Sequence, residues 1–241
     1  MTENNMKDFG WFDSLLTLSG TSLPAIKKEV REMLKEYDLR YGSEKSKRHR
    51  AYKVSSSLIR QAAFKTAGMG GLTSVPATLP GIGTIGTVLL GSAVDLYYLL
   101  RVQIELCYAI SVVYETTVDE DELKAITLAL LGFSGSTEAL KAVAAGTFRR
   151  VIDEAAEGYI RNGLTKASSE VAERLIPRLL KNTYKIIPLL GIPLGATINI
   201  VSTLTVGRQA RNYFAVLSGD ELSADAPKSF NGNYAEAGGL E

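Results

Sequence analysis

The chain has 241 residues, with 27 Lys and Arg against 26 Asp and Glu. That length leaves room for a sizeable core, and a net charge of +1 gives no global attraction to nucleic acid or membrane, so an electrostatic partner must be met by a local patch. One cysteine, Cys107, and one histidine, His49, exclude an internal disulfide and a Cys/His zinc cluster, and they argue against a Ser-His triad built on Ser134 or Ser136.

Residues 1–20 form an amphipathic segment in which Phe9, Trp11 and Phe12 can cover a bundle or meet an interface. It lacks the basic start and long apolar run of a secretory signal, so a cytoplasmic location is expected. Ser22 and Pro24 suit a helix start, and Ile26, Val30, Met33, Leu34 and Tyr37 make one apolar face that ends near Gly42. A second helix is expected over 51–67, with Tyr52, Leu58, Ala62 and Phe64 as buried positions. A third runs over about 84–115, apolar except for Asp95, Arg101 and Glu105.

Thr117 or Asp119 opens the next helix, where consecutive acids match the helix dipole. Further helices are expected over 137–162, 168–184 and 193–217, with Gly163 and Gly191 as breakers. Strand signals are scarce. The expected fold is therefore all-α: one domain over 21–217, a bundle of about six or seven helices, followed by a polar, flexible tail over 218–241.

Two stretches depart from the soluble pattern. Residues 66–94 and 186–207 carry no charge, and both exceed the roughly 18 apolar residues that suggest a membrane span. Each is interrupted by glycine and proline: Pro80, Gly81, Gly83, Gly86 and Gly91 in the first, Pro188, Gly191 and Gly195 in the second. Asp95 follows the first segment and Asn199 falls within the second, which suggests a weak internal repeat.

Gly81, Gly83 and Gly86 also fit the spacing of a dinucleotide turn, with Glu105 near the ribose-binding position. The preceding SVPATLP contains two prolines and cannot supply the required buried strand, so that function is set aside. Small residues here serve close backbone packing, either in a dry soluble core or in a hairpin that dips into lipid.

Candidate chemistry is sparse. Asp153 and Glu157 lie one turn apart but read as a solvated pair, and Cys107 on an apolar helix reads as packed. Asp95 needs donors in an apolar helix, and Ser92, Tyr98 and Asn199 can supply them; it reads first as a packing residue and second as the centre of a small catalytic pocket. No enzyme activity and no cofactor are expected.

Basic residues cluster twice. Lys45, Lys47, Arg48, Arg50 and Lys53 occur without an acid among them, and Arg174, Arg178, Lys181 and Lys185 recur at helical spacing just before the second uncharged segment. Cations beside an apolar stretch suit anionic lipid. Nucleic acid is not expected, since only Tyr52 and Tyr184 could stack among them.

The run from Ala63 to Tyr114, with LPGIGTIG, Asp95, Gln103 and YAISVVYE, resembles the N-terminal motif region of the EcsC family. IPLLGIPLGATINIVSTLTVGRQARNYF, with its Val206-Gly207, Ala210 and Tyr213-Phe214, resembles that family's closing motif. There is a more distant similarity to the apolar helical domain of bacterial GTPase-associated membrane proteins, although this chain has no P-loop. One departure stands out, since family members often carry Tyr-Gly where this chain has Tyr114-Glu115. The resemblance implies a bacterial helical protein without established catalytic residues. The function expected is peripheral association with the inner membrane, the partners being anionic lipids or a membrane protein complex; the alternative is a soluble carrier for a lipid or other hydrophobic ligand.

Overall fold

A computed structural model describes residues 23–42, 46–72, 85–134, 145–184 and 191–219, together with Leu15; within these, only the backbone is described for 68–72, 85–95, 145–146, 178–184 and 191–198. The described residues form seven helices in a single bundle, without strands. In chain order these are α1 (Leu23–Tyr41), α2 (Lys47–Leu72), α3 (Ile85–Val113), α4 (Glu120–Ser134), α5 (Ala145–Asn162), α6 (Leu164–Tyr184) and α7 (Gly191–Leu217).

Local chemistry accounts for most of the boundaries. The α1 face buries Ile26, Val30 and Leu34 as its spacing predicts, and Gly42 ends the helix at φ +75°, where a side chain would be strained. Asp119 caps α4: its carboxylate accepts the backbone N–H of Glu122 at 2.8 Å, with Glu120, Asp121 and Glu122 in the first turn. Gly163 separates α5 from α6 at φ +89°. Gly191 differs from its expected role between helices, since it is already the first residue of α7.

The turn after α3 holds an unusual residue. Glu115 has φ 52°, its N–H bonds to the Val112 carbonyl, and the Thr116 N–H reaches back to Ser111, which together make a Schellman end. That left-handed position normally favours glycine. Its carboxylate instead collects Arg50 at 3.3 Å and Lys47 at 4.0 Å. Glu115→Gly should leave thermal stability equal or raised, because relief of about 1 kcal/mol of backbone strain offsets a loss of about 0–1 kcal/mol from exposed ion pairs. Glu115→Ala should be the least stable of the three by thermal melting, since it keeps the strain and loses the ion pairs.

The core is built around α3 and α4, whose Leu100, Ile104, Ile110, Ala125, Leu128, Leu130 and Leu131 are fully buried. α7 packs on α2, α3, α4 and α5. One stretch, Leu96–Val113, is long and apolar enough to cross a membrane, yet 72% of it is buried inside the bundle. It belongs to the core of the helical packing. The expected burial of Phe64 is corrected: it stands 76% exposed on α2, while Ala62 is buried and Leu58 packs partly against the core.

Cys107 lies inside this core, and burial pushes its thiol up to about 12. It should resist thiol reagents in the native protein and react once denaturant is added. Because the folded state holds this proton more tightly than the unfolded chain, whose thiol ionises near 9.0, the group's contribution is complete below about pH 9 and lost as pH rises toward 12. Denaturation of Cys107→Ala across that window should show a smaller alkaline loss than the native sequence.

Candidate functional site

Three helices meet along a seam that fixes their directions. On α7, Gly207 faces α2 and α3 so closely that an added Cβ would lie 2.8 Å from Ile59 Cγ1 and 2.9 Å from Leu106 Cδ2. Nearby, the hydroxyls of Thr66 and Thr203 share a hydrogen bond at 3.2 Å, and the Gln103 amide donates to Ser202 at 3.0 Å. Further along, Arg211 donates to Ser56 at 3.0 Å and lies 4.6 Å over the Tyr52 ring.

These pairings show that α7 runs antiparallel to α2 and parallel to α3. The C-terminal end of α2 and the N-terminal ends of α3 and α7 therefore share one end of the bundle. Those helix ends lie within the two uncharged segments. Residues 185–190 join α6 to α7 and reach at most about 25 Å, so the C-terminal end of α6 lies toward the same end.

The predicted site residues divide accordingly. Lys45, Pro80, Gly81, Gly83, Lys185 and Pro188 lie outside the described residues. Gly86, Gly91 and Asp95 fall within α3, Gly191 and Gly195 within α7, and Arg178 and Lys181 within α6, where only the backbone is described. Arg174 is exposed on α6. Asn199 donates weakly to the Thr66 carbonyl at 3.5 Å, which ties α7 to α2, while the Asp95 carboxyl lies outside the described atoms.

The first basic cluster is at the other end of the molecule. α2 is about 39 Å long at 1.5 Å per residue, so Lys47, Arg48, Arg50 and Lys53 are far from the end that carries the uncharged helix ends. Within this cluster Arg50 is largely buried and bridges Asp38 at 2.8 Å and Glu115 at 3.3 Å, and Lys47 also faces Glu115. Much of that charge thus fastens α2 to the ends of α1 and α3. Lys53 is exposed.

Two open depressions are lined by polar groups. One, of about 530 Å³, lies beside Lys47, Arg50, Glu115 and Glu122; the other, of about 450 Å³, lies on α5 beside Arg149, Asp153 and Glu157. Both Asp153 and Glu157 line this open depression, as expected of a solvent-facing pair, but Asp153 is only partly exposed and has a further role. Asp153 accepts the Tyr213 hydroxyl at 2.6 Å and Arg149 at 3.3 Å, so it serves helix packing, while Glu157 remains exposed. Among the described residues no cluster of three or more His, Cys, Asp or Glu could hold a metal.

The seam was missed by sequence reasoning, because its members are single hydroxyls and amides scattered over helices far apart in the chain. Its one legible signal was Gly207 within the Val206-Gly207, Ala210, Tyr213-Phe214 pattern, whose members are all buried, Tyr213 turning instead to Asp153 on α5. No protein-family model matches the chain, and no curated protein or solved structure matches it either.

Proposed function

We propose that this chain is an EcsC-like, non-enzymatic helical protein of the bacterial cytoplasm that sits peripherally on the inner membrane. Its Gly/Pro-rich apolar segments and the basic row of α6 would meet anionic lipid, with a membrane protein complex as a further partner. One observation carries the reading: the helix ends that lie within the two uncharged segments converge at one end of the bundle, and the Arg174, Arg178 and Lys181 row runs toward it. The family assignment draws support from two features. Ser202, Thr203, Gly207 and Arg211 of the closing stretch form the α7 side of the seam, and Glu115, where members of that family often carry glycine, adopts the left-handed conformation that glycine would favour.

The purified full chain should co-sediment with phosphatidylglycerol-containing vesicles, and its affinity should fall as salt is raised. Equal indifference to anionic and neutral vesicles would sink the proposal. A discrete hydrophobic ligand retained in native mass spectrometry, without vesicle binding, would favour the carrier alternative. The two open, charged depressions lend that alternative no support.

A further inference from the structure

The two helices of the seam also share an outer face. Lys53, Arg60 and Phe64 on α2 are spaced seven and four residues apart, and Val201 and Arg208 on α7 are spaced seven apart, so each set forms a row along its helix. All five are exposed, Phe64 at 76% and Val201 at 56%. At about 100° per residue, both rows point away from the side on which Gln103 and Leu106 bring α3 against α7, and so they open onto one surface.

The register of the seam aligns the rows. Contact of Gly207 with Ile59 sets Arg208 level with Arg60, and the bond between Thr66 and Thr203 sets Val201 near the level of Phe64. The exposed apolar pair therefore lies toward the end that carries the uncharged helix ends, with the cations behind it. Neither α2 nor α7 contains an Asp or Glu, whereas α4 holds Glu120, Asp121 and Glu122 against Lys124, and α5 balances Asp153, Glu154 and Glu157 against Arg149, Arg150 and Arg161. The α2 and α7 pair is thus purely basic, while α4 is net acidic and α5 is balanced, even though the whole chain is nearly neutral.

We infer that this α2 and α7 face is the surface that lies on an anionic bilayer, with Lys53, Arg60 and Arg208 at the headgroups and Phe64 and Val201 in the interface. The inference rests on the peripheral-membrane reading and specifies its contact surface. Charge complementarity selects the lipid, and an aliphatic side chain level with the phenyl ring suits an acyl boundary better than a stack of bases.

The test compares the full chain with the K53Q/R60Q/R208Q variant and, as a charge-matched control, a K27Q/K28Q/R31Q variant at exposed residues of α1, on vesicles of phosphatidylcholine containing phosphatidylglycerol. Far-ultraviolet circular dichroism checks that each is folded. Loss of three headgroup contacts predicts that the first variant binds about 100-fold more weakly, with the second closer to the unmodified chain. In a Trp11→Phe background, Phe64→Trp should show a blue-shifted emission on adding vesicles. Undiminished binding by K53Q/R60Q/R208Q, or an unshifted Trp emission, overturns the face while the unmodified chain's binding upholds the membrane reading. No vesicle binding by the unmodified chain overturns both, and tighter binding to duplex DNA or RNA than to vesicles at the same salt overturns the choice of lipid.

Discussion

Gly207→Leu should unfold or severely destabilise the protein, and Gly207→Ala should lower its melting temperature despite the better helix propensity of alanine. The seam leaves no room for even one carbon, because Ile59 Cγ1 and Cγ2 would stand 2.8 and 3.2 Å from it and Leu106 Cδ2 2.9 Å. Leu106 Cδ2 is the end of a flexible side chain and can turn aside. Ile59 is β-branched and buried, so its atoms move only if α2 moves. Overpacking of this kind costs about 1–3 kcal/mol for one methyl group, against about 1 kcal/mol gained from replacing glycine within a helix. Leucine adds three further carbons to the same gap.

A double-mutant cycle separates this mechanism from a general intolerance of α7. Ile59→Ala alone should cost about 2–5 kcal/mol by opening a cavity, but in a Gly207→Ala background the added methyl group enters the vacated space. The two changes together should therefore be less damaging than their sum. Strict additivity in chemical denaturation would contradict close approach of α2 and α7 at this point.

The second large effect is expected at Tyr213. Its ring is 2% exposed, and its hydroxyl donates to Asp153 at 2.6 Å, with Arg149 on the other carboxylate oxygen. Burial, reinforced by the hydrogen bond to Asp153, raises the Tyr213 hydroxyl well above its usual range, so the proton stays on the tyrosine throughout ordinary conditions. Tyr213→Phe should cost about 1.5–3 kcal/mol, the usual contribution of a hydrogen bond to a charged group, and Tyr213→Ala about 3–5 kcal/mol because the ring is lost as well. Asp153→Asn should be milder than Asp153→Ala, since an amide oxygen can still accept from the tyrosine. Urea unfolding of the four variants provides the ranking, and an unchanged midpoint for Tyr213→Phe would contradict a structural role for this bond.

Local features were legible in the sequence wherever one residue sets the outcome. Asp119 with three following acids marks a helix start, Gly42 and Gly163 mark ends, and the α1 spacing identifies its buried side. Phe64 misleads because apolar character and approximate helical spacing favour the core, whereas its actual direction depends on where α7 settles. Asp153 is legible only in part: its neighbours suggest solvent, but its partner lies 60 residues away on α7. The two basic clusters were equally visible in the sequence, but only the directions of the helices reveal that they lie toward opposite ends. The purely basic pairing of α2 and α7 depends on the same tertiary information, since those helices are separated by four others.

The position of α7 in the bundle has a temporal side. Synthesis proceeds from the N-terminus, and the partner that completes the packing of α2 is the last of the described helices to leave the ribosome. At about 5–20 residues per second, roughly 7 to 30 seconds separate the appearance of Leu72 from that of Leu217. During that interval the seam residues of α2 and α3 lack their α7 partner, so Ile59 and Leu106 stay without the surface they pack against. The shared outer face of α2 and α7 likewise comes into being only with α7, so a product truncated before it would have only half of that face.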